Sequence, residues 1–296
     1  MRTLSVTIQS EYEGKTVENV LKTELEMGRC RISRLKQSPT GMLLNGKPVY
    51  TTARVKKGDI LTAEIGDNPL KKQANPVPMP LDVLFEDEDL LILNKPAGIS
   101  TNVTKFPDEV TMEHVVAAYL GDELVGHPVN RLDKGTTGIM TFAKNGYIHE
   151  LLRRRMHTDE YVREYEGIAV GHVEPGKGII DLPIGFFDGS SMKRCIRPDG
   201  APSKTGYEVL EYNGTYSRVR LIPYTGRTHQ LRLHMSTLGF PLAGDYMYGT
   251  EDKELISRPA LHSKELWMVH PRTKEKLHIV SELPEDMKKL MEVCHE

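Results

Sequence analysis

In "TVENVLKTELE", Val17, Val20, Leu21 and Leu25 fall three and four apart, which is the spacing of one helical face. "RISRLKQ" continues with Ile32 and Leu35 among Arg31, Arg34 and Lys36, predicting a second short helix with a cationic surface. "GMLLNGKPV" then changes period. Two apolar runs meet at Asn45-Gly46, a dipeptide suited to the positive φ angles of a tight hairpin turn. "VKKGDILTAEI" predicts a further turn and strand. Beyond residue 80, "VLFEDEDLLILNKPAG" reads as strand, acidic turn, strand and Pro-Gly turn. "YIHELLRRRMH" returns to helical spacing, with Tyr147, Ile148, Leu151, Leu152 and Met156 on one side and Arg153–Arg155 largely outward. "REYEGIAVGHV", "TGYEVLEYN" and "YSRVRLIPY" are rich in β-branched and aromatic residues and predict strands.

Strands and helices do not alternate regularly, which argues against a doubly wound parallel sheet. The pattern predicts an α+β body with a mixed, mainly antiparallel sheet. "NPLKKQANPVPMPLD", Asn68–Asp82, carries four prolines and breaks the pattern. The expected organisation is a small α/β domain over 1–68, a proline-rich linker over 69–80 and a larger domain over 81–296.

Composition narrows the class. No apolar stretch approaches the ~18–20 residues that span a bilayer, and "MRTLSVTIQSEYEGK" lacks the apolar core of a signal peptide. Cys30, Cys195 and Cys294 are scattered and odd in number, so neither a disulfide framework nor a cysteine metal site is expected. A cytoplasmic, metal-free and cofactor-free protein is the expectation. Charge is uneven. Met1–Lys72 holds thirteen Lys/Arg against eight Asp/Glu, or +5, while the whole chain carries −2, so the remainder carries −7. A basic module joined to a differently built body fits this, although small segments often vary by a few charges.

The chemistry has few places to sit. His229 and His234 are five apart, poorly aligned on either a helix or a strand for one metal ion, and they are read as hydrogen-bonding or packing groups. There is no phosphate-binding GxxxxGK[ST], no GxGxxG after a strand and no GxSxG elbow. "HPVNRLDKGTTGIM" places Asp133 between Arg131 and Lys134, ahead of a small-residue turn. Alone, such a triplet is a surface ion pair worth under about 1 kcal/mol. As a site, it would keep a carboxylate ionised for service as a nucleophile or base.

Other stretches decide between these. "NRLDKGTTGIM", "VREYEGIAVG", "GRTHQLRLH" with "GFPLAGDYMYG", and "LHSKELWMVHP" with "ELPEDM" resemble, in order, the signatures of RluA-type pseudouridine synthases. The opening "VLFEDEDLLILNKPAG" is similar to that family too, and the resemblance covers about residues 81–288. The first segment resembles the S4 RNA-binding module through Ser33-Arg34, "LLNGKPV" and "VKKGDIL". The resemblance implies isomerisation of uridine to pseudouridine in structured RNA. Large-subunit rRNA is the implied target, with tRNA left open and no membrane or metal partner.

It also implies roles. Asp133 matches the catalytic aspartate, Tyr165 the tyrosine that packs on the target base and is proposed to help remove its C5 proton, and Arg227 the arginine that pairs with the aspartate. Tyr161, close by, does not match. Leu231 would line the uracil pocket, Arg131 and Lys134 would meet RNA phosphate, and the glycines after Asp133 would let the backbone approach the substrate. Arg31, Arg34 and Lys36 are the RNA-binding candidates of the S4-like segment. The chain departs from the family pattern at Asn130, where His is common, at "STNVTKFPD", where "VHP" is frequent, and at Arg163, where Lys is frequent. Two rival classes compete with this reading: a non-catalytic RNA-binding protein on the same fold, and a glycoside hydrolase, which needs a second carboxylate at a defined separation.

Overall fold

In the computed structural model, residues 2–67, 74–104, 106, 108–190, 192–251 and 254–292 are described. The N-terminal segment holds β1 (Thr3–Thr7), a 3-10 turn (Ser10–Tyr12), α1 (Val17–Thr23), α2 (Arg29–Leu35), β2 (Met42–Leu44), β3 (Lys47–Pro48) and β4 (Ile60–Glu64). The strands form one antiparallel sheet in the order β1-β4-β2-β3. Local chemistry sets the boundaries. Thr16 caps α1 by accepting from the Asn19 amide at 3.2 Å, and Asn45 and Gly46 both take positive φ in the β2–β3 turn.

The larger part contains β5 (Asp82–Glu86), β6 (Leu90–Lys95), α3 (Met112–Leu120), β7 (His127–Pro128), β8 (Thr137–Ala143), α4 (Gly146–Arg155), β9 (Tyr161–Val170), β10 (Lys177–Asp181), β11 (Ile184–Phe186), β12 (Arg194–Ile196), β13 (Lys204–Tyr212), β14 (Tyr216–Pro223), α5 (Gln230–Thr237), β15 (Leu261–Val269), β16 (Lys276–Val280) and α6 (Glu285–Glu292). Ten strands make one sheet, ordered β10-β13-β14-β9-β15-β8-β6-β5, with β16 on β15 and β7 on β8. Among the described residues every pair is antiparallel except β8–β15. The expected mixed, mainly antiparallel α+β architecture is what the chain adopts.

The core is not divided where the prolines fall. One apolar cluster runs from Val17, Val20, Leu21, Leu25 and Ile32 of the N-terminal segment into Leu90, Ile139, Tyr147, Ile148, Leu151 and Leu152 of the larger part. Polar contacts follow the seam. Tyr147 Oη donates to the Leu25 carbonyl at 2.9 Å, and Arg155 pairs with Glu26 at 2.9 Å and Glu160 at 2.7 Å. Arg155 is therefore buried rather than outward. A Cβ on Gly28, at the start of α2, would lie 2.0 Å from Glu150 Oε1 of α4, so glycine permits this close approach. Of the expected linker, residues 69–73 lie outside the described residues, and 74–80 form no helix or strand. Among the described residues no helix is long and apolar enough to cross a membrane.

Candidate active site

Asp133 sits on the turn leading into β8, closed by the Thr136 amide donating to the Asp133 carbonyl at 3.0 Å. Neighbouring residues pin this turn from several sides. Thr101 Oγ1 donates to the Leu132 carbonyl (2.9 Å) and accepts from the Leu132 amide (3.1 Å). The Lys134 carbonyl accepts from the Gly98 amide (2.8 Å) and from Lys95 Nζ (3.4 Å). Arg258 Nη1 donates to the Gly135 carbonyl at 3.2 Å, and Asp286 of α6 holds that guanidinium at 2.7 and 2.8 Å. Asn130, buried, accepts from the Thr141 amide at 2.8 Å and donates to the Ile139 carbonyl at 3.4 Å. Asn130 is thus a backbone clamp on β8, and "STNVTKFPD" contributes its Thr101 to holding the turn. Each bond is worth about 1 kcal/mol; together they hold the carboxylate-bearing backbone in one place.

The glycines of this stretch permit close packing, and Gly135 also borders the space in front of Asp133. A Cβ on Gly135 would meet Pro259 at 3.0 Å. One on Gly138, whose φ is +103°, would lie 2.3 Å from the Ser263 carbonyl, so glycine lets β8 and β15 pair closely.

The cation paired with Asp133 is Arg232, not Arg227. Arg232 Nη1 donates to Asp133 Oδ2 at 3.3 Å, while its Nε and Nη2 donate to the two oxygens of Asp245, each at 2.7 Å. Arg227, exposed, donates from Nε to the Pro202 carbonyl at 3.2 Å. The reason is local. The turn after β14 ends at His229, held in the left-handed region at φ 58°, and α5 begins at Gln230. Arg227 stays in the turn, and α5 buries Arg232 among Leu231, Leu233 and Met235. Burial works against the charge on Arg232, but the hydrogen bonds and charge of Asp245, and then of Asp133, outweigh it and raise its pKa. Two aromatic rings flank this cation, with the guanidinium 5.7 Å from the Tyr246 ring and 5.4 Å from the Tyr248 ring.

His229 also approaches, with Nε2 3.9 Å from Asp133 Oδ2 and Nδ1 3.0 Å from Tyr248 Oη. Burial lowers its pKa, so at neutral pH it is a neutral neighbour of Asp133 and not an ion-pair partner. His234, by contrast, faces Thr205 Oγ1 (2.9 Å) and the Leu182 carbonyl (3.1 Å), which is the packing role expected for it.

Asp133, Tyr165, Leu231, Arg131, Lys134, Arg227 and Arg232 all line one cleft of about 1180 Å3. Tyr165 is buried on β9. Tyr161, four residues before it, is fully buried and donates to Thr141 Oγ1 at 2.9 Å; burial pushes its hydroxyl up to about 12. Lys134 is committed to Glu109 at 3.0 Å, whereas Arg131 has no carboxylate partner among the described residues. Six cations (Arg131, Lys134, Arg153, Arg163, Arg227, Arg232) face three carboxylates in the cleft, in a chain whose net charge is −2. The cleft is therefore a local cationic basin. Its volume exceeds the roughly 300–1,000 Å3 of small-molecule pockets, which leaves room for a polymer around a reacting unit.

The N-terminal candidates separate. Arg31 is buried and pairs with Asp67 at 3.6 Å, so it is withdrawn from the surface where RNA contact was expected. Arg34 is exposed, and Lys36 lies 3.9 Å from Glu18. Sequence reasoning missed Arg232, Asp245 and Lys95 altogether.

A fixed, half-exposed carboxylate beside a buried arginine, facing a buried tyrosine across a cationic cleft, suits chemistry on an anionic polymer, and similarity to known proteins gives its class. The family model of RNA pseudouridylate synthase matches residues 89–237, from the start of β6 to the end of α5. The chain belongs to this family and is an RNA pseudouridine synthase, an isomerase. An uncharacterized RNA pseudouridine synthase of Bacillus subtilis is 34% identical over 90% of this chain and 95% of its own length. Ribosomal large subunit pseudouridine synthase D of Yersinia pestis is 31% identical over 97% of this chain and 93% of its own. Among solved structures, human RNA pseudouridylate synthase domain containing 1 is 27% identical with a TM-score of 0.56, covering 69% of this chain and 83% of that one.

Proposed function

We propose that this enzyme isomerises particular uridines of large-subunit rRNA in the cytoplasm, with Asp133 acting on the sugar of a flipped-out nucleotide. One observation carries the reading. Asp133 Oδ2 is held by Arg232 while Oδ1 has no partner among the described residues, on a turn pinned from several sides. An ionised carboxylate with a free oxygen serves either of two routes, attack on C1′ or removal of the C2′ proton. In both, the N1–C1′ bond breaks, the uracil turns in the pocket and C5 bonds to C1′, so no external electron, energy source or metal is required. Tyr165 packs on the base and assists loss of the C5 proton; Leu231 lines the other side.

A stacked uridine cannot reach such a site, and unstacking costs a few kcal/mol. The unpaired cations of the cleft offset that cost through phosphate contacts. The N-terminal segment, similar to an S4 module, holds structured RNA against the larger part. Large-subunit rRNA is favoured because a relative covering nearly all of this chain is named for that substrate. Mapping pseudouridines in rRNA from cells with and without this protein tests the reading. Loss of one or a few large-subunit sites, restored by the wild-type chain but not by Asp133→Ala, is expected. An unchanged large-subunit map with sites lost from tRNA instead would move the substrate.

A further inference from the structure

A second, smaller cleft of about 540 Å3 lies between α2 and α4. Arg31 and Arg34 come to it from the N-terminal segment, and Arg153 and Arg154 from the larger part. His127, His149 and Arg153 line both this cleft and the one around Asp133, so the two lie side by side along a shared wall. His127 and His149 stack there with ring centroids 5.4 Å apart.

The carboxylates of the smaller cleft are already used. Asp67 accepts from His127 Nε2 (2.8 Å) and the Gly146 amide (2.6 Å), and pairs with Arg31 (3.6 Å). Glu150 accepts from Arg154 one helical turn on, and Arg154 also donates to the Glu26 carbonyl at 2.6 Å. That leaves Arg34 on one wall and Arg153 on the other, both exposed and both without a carboxylate among the described residues. Two unpaired arginines across a slot whose acids are neutralised form an anion site with a fixed span. Its position beside the Asp133 cleft says which anion: a polymer already held in the larger cleft passes next to the smaller one.

We propose that the α2–α4 slot is a second RNA-backbone site, in which Arg34 and Arg153 hold phosphates of the strand running away from the target uridine. This rests on the rRNA-isomerisation reading. It also gives the seam between the two parts a use, since the slot exists only while α2 and α4 stay in register.

The test is equilibrium binding of the full-length protein to a large-subunit rRNA transcript across a KCl series, for wild type, Arg34→Gln, Arg153→Gln, the double variant, the double Lys variant and Lys276→Gln as an exposed control that lines neither cleft. An arginine that neutralises one phosphate contributes about 0.7–0.9 to the slope of log K against log salt. Each single variant is expected to have a slope shallower by about that much, the double by about twice as much, and the double Lys variant to recover it. Lys276→Gln is expected to keep the wild-type slope. A double variant with the wild-type slope overturns the proposal, as does an equal reduction in Lys276→Gln, which would mean a general field and not a site. Pseudouridine formation is measured on the same transcript. Binding with the predicted slopes but no pseudouridine would overturn the isomerisation reading and leave the slot standing. Normal modification with unchanged slopes would overturn the slot alone.

Discussion

Arg31 and Arg232 are both buried and each meets an aspartate, but they meet it differently. At the seam, the Asp67 side chain is 16% exposed and its oxygens are consumed by His127, the Gly146 amide and Arg31. Burial opposes its charge, but those partners outweigh burial and hold its pKa below the usual carboxylate value. In the cleft, Arg232 gives two short bonds to the fully buried Asp245 and only one longer bond to Asp133, whose side chain is 28% exposed. The same pair of residue types is therefore closed at one place and open at the other. A closed pair ties elements together. An open one presents a charged oxygen that is fixed but not used up. Asp245 makes the difference: it orients Arg232, so Asp133 need not commit both oxygens to doing so.

The largest effect should come from neutralising the open carboxylate. Asp133→Asn is expected to lower the single-turnover rate of pseudouridine formation by at least about 10^3-fold, with RNA affinity within about threefold of wild type and little change in melting temperature. Asp67→Asn is expected to do the reverse, lowering the melting temperature while the rate per folded molecule falls less than about tenfold. Equal rate losses in the two variants would erase the distinction between them.

The arginines should differ in a graded way. Arg232→Met strands Asp245 in the interior, and removing one partner of a buried pair costs about 3–5 kcal/mol; it also releases Asp133. Lysine is a poor rescue, because an ammonium cannot reproduce the two-pronged bond to Asp245. Arg31→Met leaves Asp67 with His127 and Gly146 and should cost about 1–3 kcal/mol. Urea unfolding of the two variants measures the gap, and activity of Arg232→Lys relative to its stability separates positioning from folding.

Lys95 is a buried cation with no carboxylate in contact among the described residues. Lys95 donates from Nζ to the Pro96 and Ile99 carbonyls, each at 2.8 Å, behind the Asp133 turn. Burial pushes its pKa down from 10.5 to about 7, only partly opposed by the charge of Asp133. Between about 7 and 10.5 the unfolded chain holds a proton there that the folded chain lacks, so stability rises with pH across that window. Above about 10 the sign reverses, because burial pushes Tyr147 and Tyr161 up to about 12 and the unfolded chain releases those protons first. Melting temperature should rise from about pH 7 toward 10 in wild type and lose that rise in Lys95→Met, which is less stable throughout because two carbonyls lose their donor. An unaltered pH profile in the variant would remove Lys95 as the cause.

What could be read from the chain alone follows from how far each signal reaches. The hairpin at Asn45-Gly46, α4 and the strands holding Tyr165 and Arg220 were legible because period and turn chemistry are local. Asp133 was legible because its setting repeats a family pattern. Arg31 and Arg155 were misread as surface cations because amphipathicity was judged as if each helix faced water on its polar side. The seam covers that side, and no local pattern encodes a contact between segments so far apart along the chain. Arg232 carried a usable signal. It stands between Leu231 and Leu233, flanked by apolar residues on both sides, and a cation buried with such neighbours must be paired.

Arg227 gives the smallest and most discriminating effect. It lines the same cleft as Arg232, five residues earlier, yet it is exposed and its Nε bonds to the Pro202 carbonyl. Arg227→Ala leaves the Asp133–Arg232–Asp245 set untouched, so stability should stay within about 0.5 kcal/mol of wild type, as for surface substitutions generally. If it contributes one phosphate contact, KM for RNA should rise severalfold while the salt slope falls by about 0.7–0.9. A loss of kcat comparable to that of Arg232→Lys would instead mean that the arginine of the turn swings onto Asp133 when RNA binds, and that the open pair closes in the reacting complex.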